Sequence, residues 1–138
     1  GGGGVEAAPV RVGGGGAGKR SRLWVEGGLA PMDIYQSMGF VDHFTPLPDI
    51  EALAVAIGGD LVMPTLAPIA GLTMRGRTVA TAPVVGNLAG RTAVVVQYQA
   101  TVSDGHFVVF DTAPGRRQSA EFLGTYVRTG QATLVTPE

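Results

Sequence analysis

The chain has 138 residues, room for one domain of ordinary size. Its 10 Lys and Arg against 11 Asp and Glu leave a formal net charge of −1, so no bulk attraction to nucleic acid or an anionic membrane follows. Cysteine is absent, which excludes disulfides, thiolate nucleophiles and cysteine-ligated metal, and no apolar run reaches the roughly 18–20 residues of a membrane span.

Residues 1–21 read as a glycine-rich arm or linker. Gly1 to Gly4 and Gly13 to Gly16 bracket a short apolar stretch. A run of four glycines carries too much ordering entropy to hold a helix or strand unaided. Val10 and Val12 suit a short extended piece between the runs. Lys19, Arg20 and Arg22 form a small basic cluster at its end. With Gly1 in place of Met, the chain reads as processed or as part of a longer reading frame. Residues 22–138 then read as a single β-rich domain.

Leu23-Trp24-Val25 suggests a short strand, and Pro31 through Met38 one or two helical turns ended by Gly39. Ile50, Leu53, Ala54 and Ile57 occupy i, i+3, i+4 and i+7, one face of a helix. Asp49 is its expected N-cap and Gly58-Gly59 its stop. Beyond it, Leu61–Met63, Ile69–Met74, Arg77–Thr81 and Pro83–Val85 are short apolar pieces cut by Pro and Gly, which predicts strands and turns.

The sharpest local pattern predicts a hairpin. Val94, Val96, Tyr98, Ala100 and Val102 alternate with Val95, Gln97, Gln99 and Thr101. Asp104-Gly105 has the composition of a two-residue turn, and His106–Phe110 would be the return strand. One face is then apolar core. Gln97, Gln99, Val108 and Phe110 fall on the other, a mixed face. Ser119–Val127 and Gln131–Val135 read as two last strands, the first alternatively as a short helix. The expected fold is α+β and β-dominated: an antiparallel sheet or small barrel, one short helix and the extended arm.

Two motifs fail on chemistry. Gly13, Gly18 and Lys19 have the spacing of a phosphate-binding loop, but Arg20 stands where a magnesium-binding hydroxyl is needed. Phe107–Thr112 resembles the strand carrying the catalytic aspartate of aspartic proteases, but Ala113 replaces the required glycine. No serine sits in Gly-x-Ser-x-Gly. His43 and His106 lack the local spacing of metal ligands, so neither a metal nor a cofactor is predicted.

The charged share of 15% is low against about 25% for ordinary domains, which suggests surface covered by other copies or a partner. The composition resembles that of phage head-decoration proteins. The expected function is therefore a non-catalytic structural or assembly module, soluble or virion-associated. It would form a homo-oligomer or larger protein assembly. The expected interface residues are Val10, Val12, Gln97, Gln99, Val108 and Phe110. The alternative is a small enzyme or ligand-binding β-barrel with a polar pocket around His43 and His106. Asp42, His43 and His106 are its catalytic candidates, and Arg77 and Tyr98 its ligand-binding candidates.

Overall fold

β-Branched residues dominate Val94–Val96, and both faces of that run are apolar enough to be covered. The computed structural model describes residues 32–101 and 104–138. In it, β4 (Ala93–Tyr98) is buried along its whole length. It lies between β1 (Ile34–Gly39) and β2 (Asp60–Val62), and β3 (Val79–Ala80) extends the sheet beyond β2. The order is β1-β4-β2-β3, and every pair is parallel. The register sets Ile34 opposite Ala93 and Gly39 opposite Tyr98, with Asp60 opposite Val94 on the other side.

Helices cover both faces. On one, α1 (Leu47–Ile57) and α2 (Ala70–Met74) bring Ile50, Ala54 and Leu72 against Met38, Leu61 and Val95. On the other, α3 (Val108–Asp111) and α4 (Ala113–Thr129) bring Val108 and Phe122 against Val62, Val94, Val96 and Tyr98. Burying one such Val, Leu or Phe side chain is worth about 1.5–3 kcal/mol. The layered α/β sheet is thus held from both sides.

This overturns the expected antiparallel sheet or barrel. Strand β4 alternates as expected, but its partners are distant strands and not a following hairpin arm. Asp104 does not open a two-residue turn. Its side chain accepts the His106 amide and caps a 3-10 turn over Gly105–Phe107, which leads into α3. Residues 106–110 are consequently helical, with Val108 buried and Phe110 exposed.

Three further segments change type. Of the stretch expected as helical turns over residues 31–38, Ile34 onward is β1, because its residues complete the β4 ladder; Pro31 lies outside the described residues. Ile69–Met74 is mostly the one-turn helix α2, seated through Ile69 and Leu72. Ser119–Val127 takes the helical alternative and not the strand: it belongs to the 17-residue helix α4, whose N-cap Thr112 accepts the Gly115 amide at 3.1 Å. Pro114 there starts a helix, where its missing N–H is harmless. Near the chain's end, Val84 and Leu134 form an isolated antiparallel bridge in place of a strand.

The helix expected around Ile50–Ile57 is present as α1. Gly58 closes it at φ 74°, a left-handed cap. Its N-cap is Pro46, and Asp49 lies in the first turn. The arm over residues 1–21, Val10, Val12, the basic cluster, the strand at Leu23–Val25 and Val102 lie outside the described residues.

The register of α4 predicts a sharp contrast between neighbours. Phe122 is 4% exposed and Leu123 67% exposed. Phe122→Ala is expected to lower unfolding free energy by about 3–5 kcal/mol. Leu123→Ala should change it by less than about 0.5 kcal/mol. Urea unfolding of both variants checks this.

Candidate functional site

Strand β1 hands the chain to α1 on one face of the sheet, while its neighbour β4 hands it to α3 and α4 on the other. The two loops must therefore part at the carboxyl ends of the strands. Open α/β sheets bind ligands at such a switch point. Here the loops first touch. A side chain at Gly39 would collide with the Gly105 backbone, and one at Gly105 with the Phe40 carbonyl. Only glycine lets these backbones approach so closely. The Gly105 amide donates to the Val41 carbonyl at 3.1 Å. Val41 itself sits at φ 60°, a left-handed conformation that costs a β-branched residue about 1–2 kcal/mol.

That contact places two carboxylates and two imidazoles in reciprocal pairs. His43 Nδ1 lies 2.5 Å from Asp104 Oδ2, and His106 Nδ1 lies 3.2 Å from Asp42 Oδ2. Each loop thus contributes one acid and one imidazole. A carboxylate only accepts, so each Nδ1 carries the proton of its pair, and Nε2 is the ring nitrogen outside the pair. The two pairs differ in setting. The Asp42 side chain is 5% exposed beneath a His106 side chain at 42%, whereas the His43 side chain is 75% exposed. Phe44 packs on the His106 ring at 5.1 Å between centroids, and Phe107 meets its edge at 5.2 Å. Thr45 Oγ1 lies 3.4 Å from the same Nδ1. His106 is therefore the imidazole held from several directions.

The carboxyls are tuned toward ionisation. Burial alone would raise Asp42. The Thr45 and Phe44 amides, both donating to Oδ1 at 2.8 Å, together with His106, outweigh it and hold the carboxyl below the ordinary value. Asp104 is lowered chiefly by the His106 amide, against some desolvation, and further by the His43 side chain and amide.

Beside the Asp42–His106 pair lies a cleft of about 390 Å³ between the end of β1, the start of α1 and the 3-10 turn. Gln36, Ser37, Asp42, Thr45, Asp49 and His106 supply its polar lining, and Ile50 and Leu53 an apolar wall. Gln36 donates through Nε2 to the Ile50 carbonyl at 2.8 Å.

The other sequence candidates lie elsewhere. Tyr98 points into the α4 side of the core. Its hydroxyl donates to Gln118 Oε1 at 2.6 Å and so receives the Tyr35 hydroxyl at 2.5 Å. Burial raises both phenols, Tyr35 to about 12 and Tyr98 further, with the Tyr35 contact adding to the latter. Arg77 is buried at the opposite edge of the sheet, with Nη2 2.8 Å from Asp60 Oδ1. Asn87 Nδ2 joins the same carboxylate at 2.8 Å. Gln97 is buried, accepting the Leu66 and Ala67 amides and donating to the Ala67 carbonyl. Gln99 is exposed.

The structure thus brings Asp42, His43 and His106 together and leaves Arg77 and Tyr98 outside. Asp104, Thr45 and Gln36 were missed. Asp104 looked like a turn residue, and no local spacing links Gln36 to His106. Among the described residues, no group of three or more His, Asp or Glu side chains is arranged to hold a metal ion. None of the described helices is long and apolar enough to cross a membrane. No protein-family model, curated protein or solved structure matches the chain.

The depressed carboxyls predict an acid-sensitive loop contact. Their stabilising contribution is fully present above the unfolded aspartate value, about 3.9, and is lost as pH falls through their lower native values. Urea midpoints measured between about pH 7 and about pH 2 should fall less steeply for Asp42→Asn and Asp104→Asn than for the parent.

Proposed function

We propose that this protein is a ligand-binding α/β domain whose cleft at the β1/β4 switch point receives a small polar molecule. The observation carrying the reading is the Asp42–His106 pair. A buried carboxylate holds an imidazole by Nδ1 at the rim of a cleft, with aromatic rings fixing the imidazole plane. This is the arrangement in which Nε2 takes or gives a proton or hydrogen bond to a bound group. The strained φ at Val41 supports it, since backbone strain concentrates at functional sites. A library of small polar metabolites, followed by amide chemical shifts, should give perturbations centred on Gly39–Thr45 and Gly105–Phe107. His106→Ala should abolish them while the rest of the spectrum is retained. Binding centred elsewhere, or unchanged in His106→Ala, contradicts the reading.

A second reading has its own support. Leu123, Tyr126 and Val127 stand exposed on one side of α4, and Phe110 is exposed nearby in sequence. Such a stripe suits self-association, the assembly role suggested by the low charge of the chain. Solution mass rising with protein concentration, and falling back in Val127→Glu, supports that role. A monomer at all concentrations removes it.

A further inference from the structure

The cleft beside Asp42 and His106 is selective in charge. None of its lining residues is Lys or Arg, while two are aspartates, Asp42 and Asp49. One polar side chain of the lining is left incomplete. Gln36 is 8% exposed, and its Oε1 accepts no hydrogen bond among the described residues. The donation from Nε2 to the Ile50 carbonyl fixes which end of the amide is oxygen. A buried acceptor without a donor is costly, so a donor entering the cleft gains what the free protein lacks.

Asp42 is already served by two amides and an imidazole, so it adds field and not a vacant lone pair. Asp49 is exposed on the first turn of α1. Ile50 and Leu53 offer apolar surface beside these groups.

Building on the ligand-binding reading above, we propose that the cleft takes a small organic ammonium, its N–H donors directed to Gln36 Oε1 and Asp49, its charge in the field of Asp42 and its carbon stem against Ile50 and Leu53. An ammonium has donors only and a positive charge. It therefore meets every unmet demand of this lining, while an anion meets the field of two carboxylates and a neutral alcohol meets only the hydrogen bond.

Three probes of equal chain length separate these cases: butylamine, butanol and butyrate. Each is titrated into the full chain at neutral pH and at constant ionic strength. The Gln36 side-chain amide and the backbone amides around Asp42 and His106 are followed by NMR. Butylamine is expected to shift these signals, and to bind about tenfold more tightly than butanol. Butyrate is expected to leave them unmoved. Raising the salt should weaken butylamine binding. Gln36→Leu should weaken it several-fold. Asp49→Asn, at an exposed position that does not disturb the core, should do so by a smaller factor. Equal shifts from butanol or butyrate overturn the ammonium assignment but leave the cleft as a ligand site. So does undiminished butylamine binding in both variants. If neither these probes nor any metabolite of the library moves the cleft signals, both readings fall.

Discussion

Strand β4 is the constraint on which the molecule depends. It is buried on both faces and paired in parallel on both edges. Parallel neighbours cannot be joined by tight turns, so each of its partners needs a crossover. The crossovers from β1 and β2 run over one face of the sheet, and the chain leaving β4 runs over the other. The carboxyl end of β4 is consequently a place where loops diverge, and a cleft opens there as a result of topology. Leu61, Val62 and Met38 at the flanks serve the same packing.

The candidate site is built on that divergence. Gly39 and Gly105 let the two loops touch before they part, and the contact aligns Asp42 with His106 and Asp104 with His43. Amides carry much of the electrostatics. Asp42 and Asp104 each accept two backbone N–H groups, so each carboxylate remains charged without a permanent cationic partner. The amino end of the strands behaves differently. There Asp60 pairs with the Arg77 guanidinium and accepts from Asn87 Nδ2, and Asp33 accepts the Thr92 and Ala132 amides at 2.7 and 2.9 Å. Those groups tie strand starts and the C-terminal segment together, a structural role.

Helix α1 and the facing of β4 were legible in the sequence because both are periodic within about ten residues. Three of the five Asp, His and Thr side chains around the pairs were also legible, as an Asp-His dipeptide and a histidine after Asp-Gly. The parallel sheet was not. The partner of Val94 is Tyr35, far away in the chain, and nothing local marks that pairing. Asp104-Gly105 misled because one dipeptide suits two structures. Asp accepts amides equally well in a turn or a helix cap, and Gly serves left-handed turns or close approach. Here it is the cap and the approach that apply. Helix α4 was obscured by its own surface: Phe122 and Gln118 face the sheet, but Leu123, Tyr126 and Val127 blur the stripe from outside. Short α2, with no room for a helical repeat, read as a strand.

The most direct measurement is the pattern of proton–proton contacts around β4 in a nuclear Overhauser spectrum. The account requires parallel inter-strand contacts that join Tyr35 and Ser37 to the Val94–Val96 ladder, with matching contacts from Leu61 to Val95. Close Hα–Hα contacts between Val96–Ala100 and Phe107–Phe110, the mark of an antiparallel hairpin, would contradict it and remove the cleft with it.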